Sequence, residues 1–486
     1  MNKNETLRKE LNPLNVWAIA FGCIIGWGSF INPGEKFLPN SGVAGTAIAM
    51  AFGALVMIII ACSYAYMVPK YPEAGGEFTF AKMCFGKNMA FLCGWFLAAA
   101  YLANVPMNST AIGLIVDGID GTSDILKFGF HYSIAGYEIW FGEILLATFI
   151  LVIFGVFNIS GVKKAGVIQT GLAFLLVISV FILAVAAIIS SKVKGINMQP
   201  VWGFDKEAAI AAGTETLDIS QFAHNGPKAA LSAILATFVI APWAFVGFDT
   251  IPQAAEEFNF SYKKVLLIMT VAIFFGCFVY VSNNTIAAAT LENWPERVMA
   301  GEWVLLVAAE ELLGPFGKTL IAIAVSCAVL SGIMGFYLAA SRLLYSMGRE
   351  GYLPKVFAKL DPKYGTPKNA MLFCIIVSLA GPLLGRKALG WFVDMSAIGA
   401  SIGYFFTSAA TMFTVKKNND KKLVYVLGMI GVIFSLIFIV LQLIPVPGLN
   451  DVHFCKQSYI MLLIWIVLGM YFYMKQRKYF NGGRDS

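Results

Sequence analysis

Uncharged and mostly apolar stretches recur along the whole chain. Twelve of them occur, and the shortest has 17 residues. At about 1.5 Å per residue in a helix, stretches of this length cross or nearly cross a hydrocarbon core of about 30 Å. We predict one transmembrane helix from each of the following: 11–34, 37–69, 88–116, 144–162, 165–191, 229–248, 265–291, 319–341, 369–385, 395–415, 423–450 and 457–474.

The composition agrees with a membrane protein. The chain of 486 residues is 58% hydrophobic and only 13% charged, whereas soluble domains carry about 25% charged and about 45–50% apolar residues. The apolar stretches are continuous and do not alternate with polar positions, which excludes a β-barrel. We therefore predict an all-α integral membrane protein of about 12 transmembrane helices and exclude a soluble multidomain enzyme.

Basic residues are distributed unevenly between the connecting segments. If the N-terminus is cytoplasmic, 24 of the 35 lysines and arginines fall in cytoplasmic segments, where positive residues accumulate in membrane proteins. We predict a plasma-membrane protein with cytoplasmic termini at 1–13 and 475–486 and an extracellular loop at 191–228. The net charge of +7 follows from this asymmetry and implies no nucleic-acid partner.

The first span contains an unusual density of helix breakers. Residues 22–34 include four glycines and a proline, which cost a helix about 1 and about 3 kcal/mol relative to alanine. Unwinding near Gly26 and Gly28 would free backbone N–H groups and direct a half-helix N-terminus at a carboxylate. The alternative is close helix packing through small residues, because Gly22 and Gly26 have the GxxxG spacing.

The sixth span is interrupted as well. Pro242 and Pro252 bracket Gly247 and Asp249. A carboxylate at depth costs about 3 kcal/mol on insertion scales, so Asp249 is a candidate functional residue; the alternative is a cap on the second half-helix near the inner interface. Spans 1 and 6 lie five helices apart and run in opposite directions, as an inverted repeat with a midplane site requires.

Four segments together resemble the amino acid, polyamine and organocation (APC) superfamily, in particular its bacterial amino acid permeases. Residues 26–34 resemble the first-helix pattern I-G-S-G-I-F-x-x-P-G, and residues 71–86 resemble the inner-loop pattern P-x-A-G-G-x-Y-x-Y. Residues 244–257 resemble the sixth-helix pattern F-x-G-F-D…A-E-E, and residues 341–367 resemble the loop between helices 8 and 9. The four segments follow in family order, and the set is more specific than any single motif.

This resemblance implies a leucine-transporter-like fold with a substrate site between the unwound parts of helices 1 and 6. Two inverted repeats of five helices would occupy 14–190 and 229–415, with two further helices at 416–474. By the same resemblance, the substrate carboxylate would meet N–H groups at Trp27, Gly28 and Ser29, and the ammonium would meet the carbonyls of Cys23, Ile24, Trp243 and Val246. Gly26, in the unwound segment, is a further predicted substrate-binding residue. The Trp243 ring would cover the substrate, or else it packs in the membrane interior.

The chain departs from the family pattern in two places. Trp27 stands where a small residue is common, so its ring either points away from the site or changes the space for substrate. Residues 169–190 of helix 5 contain no lysine, whereas in some proton-coupled relatives a lysine there supplies the coupling charge. This departure favours substrate exchange, or coupling through Asp249.

Two asparagines of the third span are further coupling or gating candidates. Asn104 and Asn108 lie one helical turn apart and share a face of the helix. They would contact substrate, or they would join helices by hydrogen bonds within the membrane.

The predicted function is secondary active transport of an amino acid or related amine by alternating access, through proton-linked symport or exchange. The alternative is a transporter-derived nutrient sensor or a channel. The sequence shows no metal-ligand spacing, no nucleophile–base pair and no G-x-x-x-x-G-K-[ST] loop. We therefore predict that the protein is not an enzyme and needs no cofactor or metal.

Overall fold

The computed structural model of the chain describes residues 7–119, 124–212, 218–446 and 453–481. Parts of four predicted segments lie outside the described residues: 1–6 of the N-terminus, 213–217 of the extracellular loop, 447–450 of the eleventh span and 482–486 of the C-terminus. The described part is a multi-pass helical bundle with one small hairpin.

The described helices fall into two halves, separated by the predicted extracellular loop. The first half contains α1 (Pro13–Ile24), α2 (Gly28–Asn32), a π-helical turn (Pro33–Phe37), α3 (Leu38–Met67), α4 (Gly76–Phe85), α5 (Lys87–Gly118), α6 (Phe141–Ile159) and α7 (Val162–Ile189). The predicted extracellular loop contains the short helix α8 (Lys206–Ala212) between two 3-10 turns, Gly195–Met198 and Ile219–Gln221.

The second half begins with a divided helix and continues with longer ones. It contains α9 (Gly226–Phe238), α10 (Ala241–Ala244), α11 (Thr250–Gln253), α12 (Val265–Thr290), α13 (Trp294–Met299), α14 (Val304–Leu313) and α15 (Pro315–Arg349). It ends with α16 (Lys368–Ser378), α17 (Ala380–Leu384), α18 (Ala388–Asn418), α19 (Lys422–Leu443) and α20 (Lys456–Asn481).

Nine helical segments in the described ranges are long and apolar enough to cross a membrane. Two shorter apolar helices, Pro13–Ile24 and Lys368–Leu384, stand at the first and ninth predicted spans. The sixth predicted span is divided between α9 and α10, and α11 follows it. The predicted number of twelve is thus not confirmed, because divided helices fall below the length that a spanning helix needs.

The first two spans meet at Gly42, later than the sequence predicts. The chain remains helical through Glu35 and Lys36, although both are exposed, and the helical conformation is interrupted at Gly42 with φ 61° and ψ −163°. A Cβ at this position would lie 2.2 Å from the carbonyl oxygen of Val201. Glycine is therefore required both by the positive φ and by the close approach of the loop that follows α7.

The interior of the bundle is formed by α5, α15 and α18. In the most apolar 18-residue stretch of each of these helices, 83%, 72% and 72% of the residues are buried. In the corresponding stretches of α19 and α20, only 22% and 11% are buried. The buried helices are rich in Gly, Ala and Ser, and α5 also contains Asn104 and Asn108. These residues allow close packing and interhelical hydrogen bonds. Since α1 packs against α15 and α10 packs against α18, the two broken helices lie against this interior.

A hairpin between α5 and α6 corrects the prediction of a purely helical chain. Strands β1 (His131–Ile134) and β2 (Tyr137–Trp140) pair antiparallel, with His131 opposite Trp140. The two-residue turn between them has positive φ at Ala135 (51°) and Gly136 (78°), as in the tight turns that match strand twist. Four-residue strands have too few positions for an alternation of apolar and polar residues to be recognised from sequence.

Candidate functional site

The first span is unwound where its glycines predict a break. Helix α1 ends at Ile24, α2 begins at Gly28, and Ile25 has the non-helical angles φ −94° and ψ 89°. Within the described residues the backbone N–H groups of Gly26, Trp27 and Gly28 have no hydrogen-bond partner. Three consecutive free donors at the start of a helical segment form a local site for an anionic group.

The second break lies between α10 and α11 and contacts the first. Gly247 has φ 140°, and a Cβ there would lie 2.7 Å from both the Cβ of Cys23 and the nitrogen of Ile24. Glycine thus lets the second break approach the end of α1. The Gly247 N–H donates to Oδ1 of Asp249 at 2.6 Å, which fixes the turn.

Two tryptophans face each other across the breaks. The rings of Trp27 and Trp243 have centroids 6.2 Å apart, and both side chains are buried. A Cβ on Gly28 would lie 2.4 Å from Cη2 of Trp243. Trp27 therefore turns toward the partner break, and the Trp243 ring covers the backbone at Gly28.

The other predicted binding residues of the first span are held by contacts of their own. The Ile24 carbonyl accepts a hydrogen bond from Oη of Tyr280 at 3.3 Å. The Ser29 hydroxyl donates to the carbonyl of Gly26 at 3.0 Å, and the Ser29 N–H bonds the same oxygen. The Cys23 sulfur lies against Gly335 of α15.

On the second break, the carbonyls have different partners. The carbonyl of Trp243 accepts from the N–H of Val246 at 3.2 Å. The Val246 carbonyl has no hydrogen-bond partner among the described residues. Tyr280, which the sequence analysis did not single out, joins the two breaks because it bonds Ile24 and packs on Phe245 at 6.2 Å.

The two asparagines of α5 have different surroundings. Nδ2 of Asn104 donates to the hydroxyl of Ser396 at 2.6 Å, so this residue joins α5 to α18. Nδ2 of Asn108 donates to the carbonyl of Asn104, while its Oδ1 lies 3.3 Å from the Cβ position of Gly26. That oxygen is buried and has no partner among the described residues. Only Asn108 therefore reaches the first break.

Asp249 is fully buried and does not cap the helix that follows it. Its carboxylate accepts from the Gly247 N–H and from the Tyr101 hydroxyl, the latter at 3.1 Å. A second buried carboxyl, Glu77, lies nearby on α4 and is bonded to Gln253 at 2.6 Å. Sequence analysis missed Glu77, although the residue stands inside the inner-loop motif at 71–86.

Gln169 lies on α7, at the start of the lysine-free residues 169–190, and its side chain reaches the first span. Its Nε2 donates to the hydroxyl and carbonyl oxygens of Ser331 at 2.7 and 2.9 Å and lies 3.4 Å from the Ala18 carbonyl. A neutral amide thus joins α7, α15 and α1 at this point. It supplies hydrogen bonds but no charge.

A cavity of about 540 Å³ opens beside the half-helix that follows the first break. Ile31 and Gly34 line it together with charged side chains from later elements: Glu35, Asp117, Arg297, Glu302, Glu310, Lys318 and Arg386. Most of these charges are paired, for example Arg386 with Asp117 and with Glu143, each at 2.5 Å. The cavity lies on the side of the predicted extracellular loops.

On the opposite side, a buried ion pair and a backbone bridge join separate elements. Arg342 makes two hydrogen bonds to Glu257, at 2.9 and 3.0 Å, and both side chains are 1% exposed. The N-terminal segment joins this region, because the Leu11 N–H donates to the Glu257 carbonyl and the Asn259 N–H donates to the Leu11 carbonyl. Residues before α1 therefore pack against the loop after α11.

Comparison with known proteins gives the family. A model of the family described as amino acid permease matches residues 11–471. The chain belongs to this amino acid permease family. The matched residues include both breaks, and the match confirms the resemblance found in the sequence. Permeases are not enzymes, in agreement with the prediction.

Several curated relatives are similar over much of the chain. A human "Large neutral amino acids transporter small subunit 2" is 27% identical over 77% of this chain, and the match spans 64% of that protein, less than two thirds of its length. The "Glutamate/serine transporter AimA" of Bacillus subtilis is 25% identical, over 95% of this chain and 82% of its own. The "Branched-chain amino acid permease BcaP" of the same organism is 24% identical, over 96% and 93%.

Proposed function

We propose that this protein is a secondary transporter that moves an amino acid or related amine across the plasma membrane by alternating access. The observation that supports this most directly is the pair of facing breaks. The first break has free N–H groups at Gly26, Trp27 and Gly28, and the ring of Trp243 from the second break packs on Gly28. Free N–H groups attract a carboxylate, and a tryptophan face attracts a cation. The named relatives are transporters or permeases of amino acids, and nothing favours the sensor or channel alternative.

The substrate class that fits these surroundings is an amino acid with an uncharged side chain. Apart from Asp249, whose carboxylate is bonded by the Gly247 N–H and lies next to the Tyr101 hydroxyl, the side chains at the breaks are uncharged. They are Trp27, Asn108, Trp243 and Tyr280. A charged substrate side chain would lose its hydration there without a partner, which is unfavourable in a buried site. Since Trp243 lies on Gly28, the ring has to move aside when substrate binds.

The proposal includes the finer architecture that the family resemblance implies. Twelve spans in two inverted repeats of five, with two helices appended, would place the breaks of α1–α2 and α10–α11 at the middle of the membrane. Both termini would then be cytoplasmic, and the charged cavity beside Gly34 would open to the outside. Movement between outward and inward openings would carry the substrate, by exchange or with protons.

The decisive experiment uses purified protein in liposomes. Exchange of radiolabelled L-leucine, L-serine and L-glutamate is measured with the same amino acids inside and outside, under proton, sodium or no gradient. We expect exchange of at least one neutral amino acid and less of glutamate. Folded, monodisperse protein that exchanges none of a full amino acid and amine panel would contradict the proposal.

A substitution at the first break tests the site itself. Gly28→Ala should reduce exchange about tenfold or more, because the added methyl group collides with Cη2 of Trp243 and overpacking costs about 1–3 kcal/mol. Trp243→Phe removes that ring atom, so the double variant should recover part of the exchange. Gly171→Ala on α7 is the matched control, since a Cβ there meets nothing within 4 Å. Equal losses in the single and double variants would speak against this geometry.

A further inference from the structure

Two carboxyl groups are buried beside the breaks without a basic partner. Asp249 lies in the second break, and Glu77 lies on α4 between two spans; both are 0% exposed. In the described part of the chain neither forms a salt bridge with lysine or arginine. Two ionised carboxylates in such a place are strongly unfavourable unless a proton or a cation neutralises one of them.

A chain of hydrogen bonds joins the two carboxyls. The Tyr64 hydroxyl donates to Oε1 of Glu77 at 2.7 Å, and Nε2 of Gln253 donates to Oε2 at 2.6 Å. The same nitrogen lies 3.4 Å from Oη of Tyr101. The Tyr101 hydroxyl lies 3.0 Å from the carbonyl oxygen of Asp249 and 3.1 Å from its Oδ2, and it shares its one hydrogen between these acceptors. The two acids are therefore linked through only two side chains.

The titratable side chains around this hydrogen-bond chain are tyrosines and cysteines, whose ordinary pKa values lie above physiological pH. Tyr64 of α3, Tyr101 of α5 and Tyr404 of α18 surround both acids, while Cys23 of α1 faces Asp249 and Cys93 of α5 faces Glu77. The Tyr404 hydroxyl is buried and has no partner among the described residues. Burial, and after it the charge of Asp249, raises the pKa of Glu77 well above its usual value.

The hydrogen bonds indicate which acid holds the proton. The Asp249 carboxylate accepts a hydrogen bond from the Gly247 N–H. A backbone N–H can only donate, so this bond favours the ionised form of Asp249. Glu77 is bonded by a hydroxyl and by the amide of Gln253, whose Oε1 is buried without a partner among the described residues. If that amide turns over, its oxygen accepts a hydrogen bond from protonated Glu77. Gln253 can therefore serve both charge states of Glu77.

We propose that Glu77 is the binding site for the proton that moves with the substrate, and that the hydrogen bonds through Gln253 and Tyr101 couple its protonation to the charge of Asp249. The inference rests on the proposed transport function. A proton from the outer solution binds the Glu77 carboxylate and later leaves unchanged to the opposite side. Gln253 ends α11, so a change in its bonding to α4 acts directly on the segment that follows the second break.

The test compares two transport assays of the same liposomes with radiolabelled L-leucine, L-serine and L-glutamate. Exchange is measured at equal pH on both sides, and net uptake is measured with the outside more acidic. The wild type should show uptake stimulated by the gradient. In Glu77→Gln this stimulation should fall at least about tenfold, equivalent to about 1.4 kcal/mol, while exchange persists. Glu73→Gln, in the same loop but with a half-exposed side chain, should behave as wild type.

Asp249→Asn separates the roles of the two acids. Without the Asp249 charge, Glu77 should bind its proton less tightly, so the pH profile of uptake should move to lower pH and keep its shape. A flat profile in Asp249→Asn together with a merely shifted one in Glu77→Gln would overturn the assignment to Glu77. Wild-type exchange without any stimulation by the gradient would overturn this inference and leave transport standing. Absence of exchange in the wild type would instead contradict the proposed function.

A spectroscopic measurement on wild-type protein does not depend on any variant folding. Infrared spectra at neutral pH should contain the carbonyl band of a buried protonated carboxylic acid, shifted in heavy water and lost at alkaline pH. A wild-type spectrum without this band would overturn the proposal. If Glu77→Gln folds, its spectrum should lack the band, and persistence of the band would also overturn the proposal.

Discussion

The two sides of the broken helices use charged residues in opposite ways. On the side of α14, arginines and acids line an open cavity, and Arg297 and Glu302 are 28% and 42% exposed. On the side of α11, Arg342 and Glu257 are both 1% exposed. The nitrogen–oxygen distance is nevertheless 2.9 Å in both pairs. Distance alone thus says nothing about how strongly each pair holds its side together.

Burial is what separates the two regions energetically. An exposed pair gains little over hydration and contributes about 0–1 kcal/mol. Removing one partner of a buried pair leaves an uncompensated charge and costs about 3–5 kcal/mol. We therefore interpret the α11 side as the closed end in this conformation and the α14 side as the access route. Substitution of arginine by glutamine in ion pairs of decreasing burial tests whether burial determines the loss of stability.

The largest effect is expected for Arg342→Gln. Glu257 would remain buried without its partner, so the protein should lose about 3–5 kcal/mol of stability, seen as a lower midpoint of thermal unfolding in detergent. Burial already raises the pKa of Glu257, and Arg342 opposes that shift. Without Arg342 the pKa should rise further, so the stability loss should be largest at alkaline pH and diminish as the pH falls and Glu257 is protonated.

The double variant Arg342→Gln/Glu257→Gln is the control for this effect. Two neutral side chains can bond each other, so it should recover much of the stability and lose the pH dependence of the single variant. A single variant as stable as wild type at every pH would show that the pair does not hold the α11 side closed.

An intermediate effect is expected for Arg349→Gln. Its pair with Glu256 is shorter, at 2.6 Å, but the two side chains are 20% and 15% exposed. Water can reach Glu256 when the arginine is gone, so the loss should lie between the limits for exposed and buried pairs, at about 1–2 kcal/mol. The same thermal unfolding measurement checks it. A loss as large as that of Arg342→Gln would mean that distance matters more than burial.

The sequence predicts features that depend on neighbouring residues better than contacts between residues far apart along the chain. The breaks near Gly26 and Gly247 follow from local helix breakers, and the structure has them where these predict. Arg342 and Glu257 are 85 positions apart, and Glu77 and Gln253 are 176 apart. No spacing rule connects residues so distant along the chain, so their pairing becomes visible only in the fold.

Residue type also limited what the sequence could predict. Asp249 is conspicuous in the sequence because an acid is rare in an apolar span, whereas Glu77 lies in a polar segment where acids are common. The orientation of Trp27 stayed open, because a tryptophan can face either way from an unwound segment. The hairpin at 131–140 and the corner at Gly42 depend on turn geometry and close backbone approach, which the apolar pattern does not record.

The smallest effect is expected for Arg297→Gln, which tests the open side. Its partners Glu302 and Glu311 are 42% and 38% exposed, so they remain hydrated when the arginine is lost. Thermal stability should change by less than about 1 kcal/mol. Any change in KM for exchange should be about threefold or less and should shrink at high salt, because exposed charges are screened within about 10 Å at 0.1 M. A loss of stability equal to that of Arg342→Gln would show that both sides are closed by their ion pairs, and the contrast between them would fail.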